Sequence, residues 1–471
     1  MDTIITGGIV VTEHGQRAAD IAISGGKIVA LAVPGTLAGA AQVIDATGLM
    51  VMPGMIDVHV HFREPGMTHK EDWATGSAAA ALGGVTTVFD MPNTDPPVDT
   101  VAHFHIKRAL AEDKALVDFG IYGLMGEDNL DQLAPLAEAG VCGYKLFLGN
   151  TTGDLPCPSD GAVLEGFEIL AELGLRCSIH AENSPILFRR MNAMKASGRN
   201  DPLAHLAART DIVAIEALTR SAVLAEWTGA RIHIVHESCA GSLPYIRFFK
   251  DRGVDMTIET LPQYLYLAAE DMTQPGGEVI RMNPPIRQKS HQAPLWAGLL
   301  DGTIDMVSTD HAPHTVAEKR GDTIWDIACG FPGVQTSLNL MLEAAAAGRL
   351  SYQDVVRLMS AAPARAFGLS DRKGDIAVGL DADLVLVDPE TPFTIRAEDM
   401  ASRSKVTPYD GWVTRSTIRR TMLRGQTVAL DGQITGTPGM GRLLRPAMPA
   451  PAPRNVATTS KAITIPDAQP W

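Results

Sequence analysis

Seven polar residues of this chain each follow a short apolar run: His59, His61, Asn93, Lys145, His180, His236 and Asp310. The first two lie in "HVHFREPG", after the apolar stretch "GLMVMPGMIDV". Residues two apart on a strand share a face, so His59 and His61 can point inward together and hold one ion. Burying them without partners costs several kcal/mol, so an isolated HxH reads first as a pair of hydrogen-bonded structural histidines. The rest of the chain reverses that reading, because His180 and His236 arrive from separate apolar runs and Asp310 from another. Imidazoles plus a carboxylate suit Zn2+, one ion or two, with Mn2+, Co2+ or Fe2+ as lesser candidates. Lys145, in "GYKLFLGNTTG", leaves two readings open. It is a snorkelling or ion-paired lysine, or it is deprotonated and carboxylated by CO2, which turns a cation into an anionic oxygen ligand bridging two metals.

Something must bring these residues to one place. Between about Pro53 and Leu369, eight short apolar segments ("GMIDVHVHF", "GVTTVFDM", "VDFGIYGL", "GYKLFL", "RCSIHAE", "RIHIVHE", "DMTIET", "DMVSTDH") alternate with Ala/Leu/Glu-rich helical stretches. Strand–helix alternation at that count predicts a parallel (β/α)8 barrel, whose site assembles at the C-terminal ends of the strands. The first fifty residues and the stretch from about 371 to 444 instead read as short strands joined by Gly- and Asp-rich turns. The expected organisation is a small β-sandwich built from both termini (1–52 and 371–444) flanking a catalytic barrel (53–370). "LSYQDVVRLMSAAPARAFGL" predicts one helix, started by Ser351 with Asp354 three residues on. The Pro/Ala-rich stretch 445–471 predicts an extended or disordered tail.

Bulk properties exclude other classes. A net charge of −14 over 471 residues argues against nucleic-acid and acidic-membrane partners. Cys142, Cys157, Cys177, Cys239 and Cys329 are scattered and odd in number, which suits a reducing compartment rather than a disulfide framework. The N-terminus lacks a basic segment leading into an apolar one, and no apolar run approaches the ~18 residues of a membrane span. The expectation is a cytoplasmic protein.

Taken together, these residues resemble the amidohydrolase superfamily over nearly the whole chain, and within it the cyclic amidohydrolases. "HFREPG", "MPNTDPP", "RMNPPIR" and "DHAPH" are each similar to the dihydroorotase pattern. The resemblance implies metal ligands His59, His61, carboxylated Lys145, His180, His236 and Asp310. It implies Asp310 as the catalytic base and acid, and substrate contacts at Arg63, Asn93, Asn283, His314, Cys329 and Gly330. It also implies a small cyclic amide as substrate, with interconversion of L-dihydroorotate and N-carbamoyl-L-aspartate in pyrimidine biosynthesis, and a homodimer or homotetramer. Arg63, Asn93 and His314 would cradle a substrate carboxylate.

Two positions depart from that pattern. Gln263 and Tyr264, in "IETLPQYLYL", stand where dihydroorotases have a histidine pair, and "PQYL" is more like hydantoinases and dihydropyrimidinases. Cys329 replaces a bulkier apolar residue. The alternative is therefore a hydantoinase, dihydropyrimidinase or allantoinase acting on another cyclic ureide. A lesser alternative is a catalytically inactive scaffold, for instance one holding an aspartate transcarbamoylase. Three cradle residues against one segment favour dihydroorotase.

Overall fold

The computed structural model describes residues 1–149, 151–152 and 155–447. Its centre is a ring of eight parallel strands: β1 (Met55–Val60), β2 (Val85–Asp90), β3 (Asp118–Ile121), β4 (Tyr144–Phe147), β5 (Cys177–His180), β6 (Ile232–Ile234), β7 (Met256–Thr260) and β8 (Met306–Val307). β1, β2 and β3 pair in order; the chain resumes past Tyr122 as Gly123–Leu124 to meet β4, and β4 to β8 follow in sequence. A parallel bridge between Val60 and His311 closes the ring, with His61 N–H donating to His311 O at 2.8 Å. The strands read as near-continuous apolar runs because both their faces are covered. Outside them, the helices Trp73–Leu82, Val101–Lys114 and Asp160–Leu173 begin at Asp72, Thr100 and Ser159. Each of those side chains accepts the backbone N–H of the third helical residue.

The two ends of the described chain share one sandwich. A four-stranded sheet (Thr3–Thr6, Asp20–Ser24, Lys27–Ala32, Gln42–Asp45) faces a seven-stranded one across a core that includes Ile21, Ile23, Ile44, Leu384 and Met422. In the larger sheet Met50–Pro53 lies between Ile9–Thr12 and Leu384–Asp388. Met50–Pro53 passes into β1 across Gly54 alone. A Cβ at Gly54 would lie 2.1 Å from Thr86 Oγ1, so the close approach of β1 to β2 requires glycine.

Barrel and sandwich are also tied by buried charge. Lys373 Nζ pairs with Asp118 at the foot of β3 (2.8 Å) and with Asp383, while Arg424 also binds Asp118. Burial alone would lower the Lys373 ammonium, but Asp383 and Asp118 raise it well above the usual lysine range. Lys373→Met leaves two buried carboxylates short of a cation. It is expected to cost about 3–5 kcal/mol, measured by denaturant unfolding; a loss below about 1 kcal/mol would show the network to be dispensable.

One expectation is modified. The single helix after Ser351 has its capping box with Asp354, but it runs as an α-helix over Tyr352–Val356, a π-turn over Arg357–Ala361 and an α-helix over Ala362–Ala366. Pro363 has no N–H to return to the fourth carbonyl back, so the ladder must widen there. The widened turn lets Ser360 Oγ donate to Gly54 O at 3.1 Å. Of the expected 445–471 tail, 448–471 lies outside the described residues. No helix among the described residues is long and apolar enough to cross a membrane.

Candidate metal centre and substrate pocket

The C-terminal ends of the strands bring His59, His61 and Asp310 within ligand distance of one another, all buried. Their hydrogen bonds fix which nitrogens are free. His59 Nδ1 lies 2.5 Å from Glu259 Oε1, so Nδ1–H donates to the carboxylate and Nε2 carries the lone pair. His61 Nδ1 lies 2.9 Å from Asn93 Oδ1, and Asn93 Nδ2 donates to Thr152 O at 2.9 Å; the His61 lone pair is therefore also on Nε2. Both Nε2 atoms face the same Asp310 oxygen, at 3.3 and 3.1 Å. Burial pushes His61 down to about 3 against the pull of Asp310, so its ring is neutral. Two imidazole lone pairs aimed at one carboxylate oxygen repel it unless a cation lies between. The donor set fits a divalent metal ion.

His180 and His236 form a second pair beside the first. His180 Nε2 donates to Glu182 Oε2 (2.9 Å), which leaves Nδ1 to accept from His236 Nε2–H (2.9 Å). The lone pair of His236 is then on Nδ1, which is buried without a partner. The rings of His236 and His59 are 5.3 Å apart. Lys145 Nζ is likewise buried and unpartnered, 5.1 Å from the Phe147 ring centre, and burial pushes its ammonium down to about 8. Of the six residues implied as ligands, the structure groups three tightly and leaves unfilled valences on two more.

The backbone is bent to achieve this. His236 and Asp310 lie two and three residues beyond their strands, with φ of 44° and 46°, and Arg63 has φ 63°. Left-handed conformations at non-glycine residues cost of order 1–3 kcal/mol and cluster at functional sites. Glu259, which sequence reasoning missed, organises the floor. It accepts from His59, from His233 Nε2 (3.0 Å) and from the His236 N–H (3.0 Å). Its only sequence signal is an acid inside the apolar strand "MTIET". Glu259→Gln should weaken metal affinity about 10–100-fold, read by chelator competition; unchanged affinity would remove Glu259 from this positioning role.

Next to the centre lies a cavity of about 360 Å3 lined in part by Asn283, His314, Cys329, Arg281 and Trp325. Asn283 Oδ1 is buried without a donor. His314 Nε2 donates to Cys329 O at 3.0 Å, and its Nδ1 faces Lys70 Nζ at 3.3 Å. Burial, Arg63 and Lys70 hold the His314 ring neutral. With its Nε2–H already given to Cys329, His314 cannot accept from Arg63 Nη2, 3.4 Å away. Arg63 Nε and Nη1 also lack partners, although the side chain is buried. Gly330 (φ 118°) follows Cys329, and a Cβ there would meet Ala312 Cβ at 2.6 Å. Arg281, which the sequence reading passed over in "RMNPPIR", is buried with no carboxylate at ion-pair distance among the described residues. Asp211, Cys239 and His291 also approach one another. Their valences are spent, however: Arg287 pairs with Asp211 (2.8 Å), Ala240 N–H donates to His291 Nδ1 (3.1 Å), and burial raises the Cys239 thiol to about 12.

The model of the amidohydrolase family matches residues 50–428, most of the chain. The chain belongs to the amidohydrolase family. Among curated relatives, this amidohydrolase is 39% identical over 453 residues to an allantoinase of Deinococcus radiodurans, covering 95% of this chain and 99% of the relative. It is 40% identical over 448 residues to an allantoinase of Solibacter usitatus, covering 94% and 97%. Among solved structures, an L-hydantoinase (dihydropyrimidinase) from Arthrobacter aurescens superposes with a TM-score of 0.92 at 32% identity, covering 94% and 99%. A D-hydantoinase follows with a TM-score of 0.89 at 32% identity, covering 95% and 99%. The amidohydrolase is thus a hydrolase acting on cyclic amides, not an inactive scaffold.

These relatives are named allantoinases and hydantoinases, so they back the alternative reading rather than dihydroorotase and pyrimidine biosynthesis. The geometry is consistent with that. Two of the three cradle groups are already committed, Asn93 to His61 and Thr152, His314 to Cys329 and Lys70. Gln263 and Tyr264 bond backbone carbonyls, of Thr309 (2.8 Å) and Pro284 (2.9 Å).

Proposed function

We propose that this enzyme is an allantoinase, opening the five-membered ring of allantoin to the open-chain carboxylate. The observation that carries the reading is that relatives matching along more than nine-tenths of the chain share that name. In support, Arg63 keeps two donors unfilled while Asn93 and His314 are committed to protein groups, which suits a carbonyl-rich ureide better than a carboxylate held by all three.

His59, His61 and Asp310 would hold the first ion, proposed as Zn2+; His236 and a carboxylated Lys145 would complete a second position, with His180 Nδ1 joining them once it gives up its hydrogen bond from His236. A divalent cation supplies an acidified water at neutral pH and polarises the scissile carbonyl. The Asp310 carboxylate takes the proton from the attacking water as the new C–O bond forms. It returns that proton to the ring nitrogen as the C–N bond breaks, serving as base and then acid. Arg63, with donors unfilled, binds the substrate's ureide carbonyls, and Asn283 Oδ1 accepts a substrate N–H.

The test is a substrate panel of allantoin, hydantoin, dihydrouracil, L-dihydroorotate and N-carbamoyl-L-aspartate on metal-reconstituted enzyme. Allantoin is expected to show the highest kcat/KM. A preference for dihydroorotate or for unsubstituted rings would overturn the assignment. Arg63→Met should lower kcat/KM for allantoin about 10–150-fold through lost charge-assisted hydrogen bonds of about 1.5–3 kcal/mol; an unchanged value would assign Arg63 elsewhere.

A further inference from the structure

Four arginines gather in a hollow at the foot of the barrel. Beyond the sandwich strands the chain returns to the foot of β3, where Phe119 N–H donates to Arg442 O (3.0 Å) and Leu444 N–H to Phe119 O (2.7 Å). This returning segment, the helix Val101–Lys114 and the turn at Arg372 enclose a hollow of about 530 Å3, within the range of small-molecule sites. Arg108, Arg372, Arg442 and Arg445 line it with a single carboxylate, Glu112. In a chain of net charge −14, the hollow holds a local surplus of three positive charges.

Three of these four guanidiniums, those of Arg372, Arg442 and Arg445, have no carboxylate partner among the described residues. Glu112 Oε1 is spent on Arg108 Nε at 2.8 Å. Arg372 Nη2 donates to Arg445 O (2.7 Å) and Arg445 Nη2 to Ala139 O (2.9 Å), so backbone carbonyls rather than acids hold both. Arg372 Nε is buried with no acceptor. Arg442 has its backbone N–H on Asp118 (2.9 Å), while its side chain has no partner among the described residues. Like charges gathered on a partly enclosed surface repel one another unless an anion joins them. Paired guanidinium N–H groups match phosphate oxygens.

We infer that this hollow binds a small phosphate-bearing anion, at the end of the barrel away from the metal centre. The phosphate is either a free chain or one carried on a nucleotide. The experiment is calorimetric titration of the full chain at low ionic strength with pyrophosphate, ATP and adenosine, on wild type, Arg442→Gln and Arg372→Gln. The expected result is one saturable site for pyrophosphate or ATP with Kd below ~1 mM, weakened at least tenfold in Arg442→Gln, whose side chain supports nothing else. Equal affinities for the two phosphates identify a free phosphate chain, and tighter ATP identifies a nucleotide. Adenosine binding as tightly as ATP, no saturable binding by either phosphate, or wild-type affinity in Arg442→Gln would overturn the inference. Arg442→Gln is expected to keep wild-type turnover of the ring substrate, which separates failure here from failure of the proposed activity.

Discussion

Asp310→Asn is expected to lower kcat about 10⁴-fold, the upper range for loss of a general acid–base group. The amide is nearly isosteric, so the buried backbone at φ 46° need not move. What is lost is the proton acceptor, and with it the anionic oxygen that both His59 and His61 face at 3.3 and 3.1 Å. The two imidazoles remain, so a substantial part of the bound metal should survive dialysis. Measuring kcat and metal content together separates the roles. A variant that keeps metal and loses turnover has lost the base. A variant within tenfold of wild-type kcat would remove Asp310 from proton transfer altogether.

The second large effect concerns Lys145. Carbamate formation joins the amine nitrogen to CO2 and releases a proton, so it needs the neutral amine. An ordinary lysine near 10.4 is about one part in a thousand neutral at pH 7.5, whereas one held near 8 by burial is about a quarter neutral. Neutral amine increases as pH rises through the lysine pKa. At fixed dissolved CO2, activation of metal-free enzyme by metal plus CO2 should therefore rise through about pH 8 and level off above it. Lys145→Met should abolish the CO2 dependence and lower kcat about 100-fold or more, the scale set by loss of metal-site groups. Full activity of CO2-depleted enzyme, or CO2 activation persisting in Lys145→Met, would exclude the carbamate.

The barrel and the strand-end residues are legible in the sequence because they combine two independent signals: apolar runs of strand length, and polar residue types that such runs do not otherwise carry. Glu259 is less legible. Within "MTIET" it is one acid in an alternating strand, and only the approach of His59 and His233 from neighbouring strands reveals its task. The left-handed backbone at Arg63, His236 and Asp310 has no sequence signal, since none is glycine. The substrate cradle shows a different limit. A sequence shows which donors and acceptors exist, not which are already used. Asn93 and His314 look equivalent to Arg63 until their partners are known, and that difference is what moves the proposed substrate from a carboxylate to a ureide.

The strand Met50–Pro53 anchors β1, and so His59, yet one of its two neighbours is Leu384–Asp388. On a ribosome moving at roughly 5–20 residues per second, that neighbour emerges about 17–67 s after the strand it must cover. Throughout that interval the sheet edge beside the histidine-bearing strand lies open to wrong pairings. The residues proposed as metal ligands would reach their final frame only when the late sandwich strand arrives, and metal loading would then belong at the end of synthesis.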